Sequence, residues 1–245
     1  MDRKIRSGII SSWLFFHNSI MLAWTIFSAM AYGWTALCTS IFCRSASRSI
    51  ARLWCTQLLY MTGSKISVEG AEHIDKKNNY VFVANHQSYF DIPALYAGLG
   101  SSISFIAKKE LFRIPFFGWG MWAAGCIQID RKNARKARKS IAKGAAQLKK
   151  NHTSLVVFPE GTRSSSGKVG EFKRGSFTLA IEAGVPLVPV AICGTRNIQK
   201  KSSLLISPAA VRLVIGAPIS AEEVSKLGKE VLAGKVRETI IKLLD

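Results

Sequence analysis

The chain has 245 residues, and 34 Lys and Arg against 15 Asp and Glu give it a formal net charge of +19. Hydrophobic residues make up 48% and charged residues 20%, which excludes an intrinsically disordered chain, and five Cys over this length exclude a disulfide-framed mini-protein. A chain that is both apolar and basic is one domain with a full core, or one domain plus an appendage, and its natural partners are nucleic acid or an anionic membrane surface.

No Asp, Glu, Lys or Arg occurs from Ser7 to Cys43, a stretch that holds Trp13, Phe16, Ile20, Trp24, Phe27 and Trp34. As one helix it would run to about 55 Å at ~1.5 Å per residue, against a hydrocarbon core of ~30 Å. The pattern predicts one tilted helix that continues past the interface, or a helical hairpin broken near Gly33. Arg3, Lys4 and Arg6 precede the stretch; Arg44, Arg48 and Arg52 follow it. Equal positive flanks fit a segment whose two ends stay on one side of the membrane. The competing reading is a secretory signal cleaved at Ala29-Met30-Ala31. It is disfavoured because the apolar run continues past Ala31. The five Cys are also scattered, with no Cys-x-x-Cys pair. Residues 1–64 are therefore read as a membrane anchor and connector, and 65–245 as the functional domain.

From about residue 65 short apolar runs alternate with helical stretches. Strands are predicted at 80–84, 103–107, 126–129, 155–158, 187–192 and 211–215, and helices at 92–98, 134–150, 174–183 and 221–243. This is an α/β pattern, with a central, mostly buried β-sheet flanked by helices. The stretch from Arg131 to Lys150 carries nine cations and no acid, with Ala137, Ile141, Ala145 and Leu148 at helical spacing. It is either a solvated helix face or a surface held against anionic lipid. Ser220 and Glu223 form a capping-box start for the last helix.

Two motifs carry chemistry. Asn85-His86-Gln87-Ser88-Tyr89-Phe90-Asp91 directly follows the 80–84 strand. Asp91 can hold one ring nitrogen of His86 and leave the other free as a general base. Pro93 marks a helix start beside the pair, whose free amides could stabilise an oxyanion. His152, also preceded by Asn, has Val157 where an Asp would be needed. Phe158-Pro159-Glu160-Gly161-Thr162-Arg163 ends another strand, with a turn at Gly161 and with Glu160 and Arg163 close enough to face one pocket. A guanidinium fork suits a phosphate. Gly161 to Lys168 is not a phosphate-binding loop, because its glycines are one residue too far apart and Val169 stands at the Ser/Thr position. No Gly-x-Ser-x-Gly nucleophile elbow occurs.

In this order the motifs resemble the glycerolipid acyltransferase family, specifically 1-acyl-sn-glycerol-3-phosphate acyltransferases. The Asn-His-x4-Asp block is followed by Lys108-Lys109-Glu110-Leu111 and Pro115-Phe116-Phe117-Gly118. Gly125 to Arg131 looks like the second block, Phe158 to Arg163 like the third and Val185 to Val190 like the fourth. The resemblance covers about residues 65–217. It implies the glycerolipid acyltransferase fold with an N-terminal membrane-embedded helical segment. It also implies acyl transfer from acyl-CoA or acyl-carrier protein to the sn-2 hydroxyl of lysophosphatidic acid. His86 would be the base and Asp91 its support. Glu160, Gly161, Thr162 and Arg163 would form the acceptor site, with Arg131 and Lys108 helping to bind its phosphate. No metal or cofactor is implied, and the partners would be anionic membrane lipid and the two substrates, not nucleic acid. The implied location is the cytoplasmic face of the inner membrane. A different lyso-lipid acceptor, such as a lyso-ornithine lipid, is the alternative within the family. A non-enzymatic basic module for membrane or nucleic acid is the alternative outside it, and it leaves the ordered motifs unexplained.

Overall fold

The computed structural model describes residues 3–150 and 153–245, and their side chains apart from those of 3–15 and Ala134. His152 and the side chains of Arg3, Lys4, Arg6 and Trp13 lie outside the described residues. Along the chain come α1 (Arg3–Phe42), α2 (Arg44–Met61), β1 (Lys65–Glu69), β2 (Val81–Ala84), α3 (Asp91–Leu99), β3 (Ile103–Lys108), α4 (Phe117–Ala123) and β4 (Ile127–Ile129). Then follow α5 (Ala134–Lys150), β5 (Ser154–Val157), α6 (Thr178–Ala183), β6 (Leu187–Cys193), α7 (Thr195–Ile198), β7 (Ala210–Ile215) and α8 (Ala221–Leu244).

The strands form one seven-stranded sheet in the order β1-β7-β6-β2-β5-β3-β4. All neighbours pair in parallel except β6 and β7. β2 explains why the core needs helices on both faces. Val81 and Val83 pack with α5, α6 and α8, whereas Phe82 and Ala84 pack with α2 and α3. A strand covered on both sides reads as a continuous apolar run. β1, an edge strand exposed along most of its length, gave no such run. The helix at the C-terminus begins as expected, with Ser220 Oγ accepting from Glu223 N at 3.2 Å. It bends at Gly228, which has a φ of 68°.

Of the two forms expected for the apolar N-terminal stretch, the single long helix is the one observed. α1 is one helix of 40 residues with no break at Gly33. The corner comes at Cys43, which is extended, and the second arm is the arginine-bearing α2. Ser47 Oγ donates to Ala36 O, and Trp54 Nε1 donates to Ser28 Oγ, both at 3.0 Å. Partners lie farther apart in sequence with distance from the corner, so the two helices run antiparallel. Phe16, Ile20, Phe27, Met30, Trp34 and Ile41 recur along one outward face of α1, while Met21, Ser28 and Ala36 are buried on the other. Among the described residues α1 supplies the one helix long and apolar enough to cross a membrane.

Gly33 serves packing instead of a turn. A Cβ there would stand 2.3 Å from Phe116 O, and a Cβ on Gly120 would stand 3.0 Å from Gly33 Cα. The pair of glycines lets α1 and α4 touch backbone to backbone. Gly33→Ala should therefore destabilise the protein by about 1–3 kcal/mol, the usual cost of overpacking. Thermal unfolding in detergent checks this, with Gly234→Ala as control, since nothing lies within 4 Å of that site. An unchanged midpoint for Gly33→Ala would mean that the helices do not meet there.

Candidate active site

The parallel strands β2, β3, β4, β5 and β6 end at one edge of the sheet, where α/β folds build their sites. Asn85 fixes the end of β2. It is fully buried, donating from Nδ2 to Ile192 O at 3.0 Å and accepting on Oδ1 from Ile192 N at 2.8 Å. The chain then turns tightly through His86. His86 Nδ1 lies 2.7 Å from Asp91 Oδ2, which also accepts from Gln87 N at 2.7 Å and Ser88 N at 2.9 Å. Thr195 Oγ1 donates to Asp91 Oδ1. Asp91 is fully buried, yet four donors surround it, so the carboxylate is an acceptor on every side.

With Nδ1 donating to that carboxylate, Nε2 carries the free lone pair. Among the described residues it takes no hydrogen bond, and the side chain is 17% exposed toward the crevice. The Phe158 ring stacks on the imidazole, with centroids 4.1 Å apart and planes 19° apart, which fixes the ring plane. A hydroxyl delivered to Nε2 can give up its proton there, while Asp91 stabilises the imidazolium that results. The free helix amides expected beside the pair are reduced to that of Ile92. Asp91 N donates to Ser88 O, Pro93 has no N–H, and Ala94 N donates to Phe90 O.

The second motif closes over the first. Ser164 N donates to His86 O at 2.8 Å, and Arg163 Cζ lies 3.6 Å from the centre of the Tyr89 ring, a cation–π contact. Glu160 Oε1 accepts from His86 N at 2.7 Å and Oε2 from Gly170 N at 3.0 Å. Glu160 is 8% exposed, so its carboxylate joins two loops of the site instead of facing solvent. Gly161 takes a φ of 74°, which the turn needs. Arg131 Nη1 donates to Gly161 O, and Lys173 Nζ lies 3.1 Å from where a Gly161 Cβ would stand. Lys109 Nζ lies 2.6 Å from Asp130 Oδ2, and its hydrogen bond holds that carboxyl below its usual range. The pair steadies the loop that carries Arg131. Thr162 is exposed. Lys108 ends β3 at the same sheet edge, with its side chain 54% exposed and its Nζ 3.8 Å from Glu110 Oε2.

A largely apolar cavity of about 560 Å³ reaches the His86 loop at Tyr89 and Phe90, walled by α1, α2 and the 199–206 segment. A smaller cavity of about 110 Å³ shares Trp54, Cys55, Ile92, Leu111 and Phe117 with it. Cys126 lines the smaller one, and burial pushes its thiol up to about 11, so it is no thiolate nucleophile. Among the described residues no three His, Cys, Asp or Glu are grouped to hold a metal.

Comparison with known proteins decides the family. A family model described as Acyltransferase matches residues 65–193, from the start of β1 to the end of β6. The chain belongs to the acyltransferase family. It is 36% identical over 198 residues to a chloroplastic 1-acyl-sn-glycerol-3-phosphate acyltransferase of Arabidopsis thaliana, covering 80% of this chain and 53% of that one. The chain thus spans about half the length of that chloroplast relative. To a Saccharomyces cerevisiae protein of the same description it is 32% identical, over 97% of this chain and 80% of the other. The crystal structure of the Thermotoga maritima 1-acyl-sn-glycerophosphate acyltransferase PlsC covers 98% of this acyltransferase, with a TM-score of 0.77 and 31% identity. That match includes the α1–α2 hairpin and confirms the α/β fold.

Thr195 and Lys173 escaped the sequence reading. Thr195 lies 104 residues from Asp91, and no local pattern ties a buried threonine to a distant carboxylate. Thr195→Val should leave a buried carboxylate oxygen unsatisfied and cost about 1–3 kcal/mol of stability. Turnover should fall with it, while Thr195→Ser should behave like the parent. Unfolding midpoints and initial rates on the three proteins check this; a silent valine variant would remove Thr195 from the network.

Proposed function

We propose that this acyltransferase moves an acyl group from a thioester to the sn-2 hydroxyl of lysophosphatidic acid, giving phosphatidic acid. The donor is acyl-CoA or acyl-carrier protein. The observation that carries the reading is the oriented imidazole, with Nδ1 locked on Asp91 and Nε2 open to the crevice. The similarity to yeast and chloroplast 1-acyl-sn-glycerol-3-phosphate acyltransferases supports the same acceptor.

The acceptor hydroxyl gives its proton to His86 Nε2 as its oxygen attacks the thioester carbonyl. The tetrahedral oxyanion collapses and expels the thiolate, which takes the proton back from the imidazolium. Acyl and proton both balance, and the sequence of steps uses no metal, cofactor or enzyme nucleophile. Arg131 and Lys173 at Gly161, with Arg163 over the Tyr89 ring, supply the positive field for the acceptor phosphate, to which exposed Lys108 adds. Thr162 lines the rim. Glu160 acts on the acceptor indirectly, by holding His86 N and Gly170 N. The cavity beside Tyr89 takes an acyl chain. Residues 1–64 are assigned as anchor and connector, and 65–245 as the catalytic domain. The outward face of α1 lies in lipid, and the domain stands on the cytoplasmic face of the inner membrane.

Purified enzyme with lysophosphatidate and defined acyl thioesters tests the proposal through thiol release and product mass. His86→Ala should lower kcat by roughly two to four orders of magnitude. Near-normal turnover would falsify the base assignment. Arg163→Ala should chiefly raise the acceptor KM. Glu160→Gln should lower kcat with little change in that KM, and the reverse split would return Glu160 to acceptor contact. Parallel assays with other lyso-lipids separate the acceptors.

A further inference from the structure

Between α7 and β7 the chain makes a turn that the acyl-transfer steps do not use. Leu204 is 78% exposed and Leu205 63%. Isolated exposed leucines are ordinary, but these two are adjacent and follow Lys200 and Lys201 closely. The turn is also ordered. Ser203 N donates to Lys200 O, Leu205 N to Ser203 Oγ and Ser207 N to Ile198 O. Two bonds fix its position. Ile206 N donates to Asn18 Oδ1 of α1 at 2.6 Å, and Ser88 Oγ of the His86 loop donates to Gln199 O at 2.9 Å.

The turn therefore bridges the apolar helix and the active-site loop. Leu204 and Leu205 stand on one side of the larger cavity, and Leu22 of α1, itself half exposed, lines it too. Tyr89, which carries Arg163 on its ring, closes the end nearest His86. The exposed apolar face of α1 thus continues onto the leucines across the cavity. Lysines beside inserted leucines match anionic headgroups above hydrocarbon.

We propose that residues 200–205 form a lipid-inserting finger. With α1 it flanks the cavity mouth, so that a lyso-lipid chain enters sideways from an anionic bilayer while its phosphate reaches Arg163. The route rests on the acceptor proposed above; the insertion does not. Full-length protein on vesicles of equimolar phosphatidylcholine and phosphatidylglycerol tests both. Leu204→Trp should add fluorescence that lipids brominated on their acyl chains quench, measured as the difference from the parent. Added fluorescence that escapes quenching overturns the insertion. The double variant Leu204→Glu, Leu205→Glu should raise KM for vesicle-borne lysophosphatidate relative to KM for a monomeric short-chain analogue. That ratio should rise about tenfold or more, the order set by one buried leucine. An unchanged ratio overturns the route. Lys200→Gln with Lys201→Gln should weaken vesicle binding only when phosphatidylglycerol is present, and equal loss on phosphatidylcholine alone overturns the headgroup role. If the acceptor assignment itself failed, the parent would show no turnover with lysophosphatidate, and the quenching would still report the finger.

Discussion

A fully buried carboxylate organises the active edge of this protein. Burying an ionised group is costly unless hydrogen bonds replace its water. Asp91 recovers that loss from His86 Nδ1, two backbone amides and the Thr195 hydroxyl. Those donors come from the turn after β2 and from the start of α7, so the carboxylate can be buried only if both segments close on it. The geometry that leaves His86 Nε2 exposed is thus a by-product of satisfying Asp91. Glu160 repeats the device one strand away, joining the His86 turn to the segment before α6 through two backbone amides. α8 extends the chain of contacts. Arg237 donates to Val169 O and Gly170 O at 2.9 and 2.8 Å, and so braces the backbone that Glu160 holds.

The net charge of +19 divides by location. α1 carries none of it between Ser7 and Cys43. α5 carries a large share, with Arg135, Lys136, Arg138, Lys139, Lys143, Lys149 and Lys150 exposed and in no salt bridge among the described residues. Its other face, Ala145 and Leu148, belongs to the core. A third share gathers at Gly161, where Arg131 and Lys173 converge on one glycine whose missing side chain leaves them room. The charge on α5 and the charge at Gly161 are therefore separate populations.

What the sequence disclosed follows from the range of each interaction. His86 and Asp91 were legible because the four residues between them form one turn. The strands β2, β5 and β6 were legible because burial on both faces leaves unbroken apolar runs. β1 and α4 were not: one is an exposed edge strand, and the other is a short helix interrupted by Gly118 and Gly120. Gly33 left two readings open because a glycine in a long helix can mark a break, whereas here it permits contact with α4. Spacing showed that Glu160 could share a pocket with Arg163 but not which way its carboxylate turns, and in the structure it accepts from His86 N and Gly170 N. Thr195 lay beyond any local signal.

The hairpin is more than a tether. Leu59 is fully buried, and with Met21 it joins a cluster containing Phe90 and Ala94 of the active-site segment and Ile198 and Ile206 of the finger region. Trp54 and Cys55 of α2 pack against Leu95 and Tyr96 of α3, whose first residue is Asp91. The N-terminal hairpin and the turn that carries His86 therefore share one packed cluster. Interiors packed this closely shift as units instead of deforming smoothly. A change in how α1 sits against its surroundings would then be felt at Phe90, one residue from the carboxylate that holds His86. Seating the hairpin and ordering the candidate active site therefore draw on the same contacts.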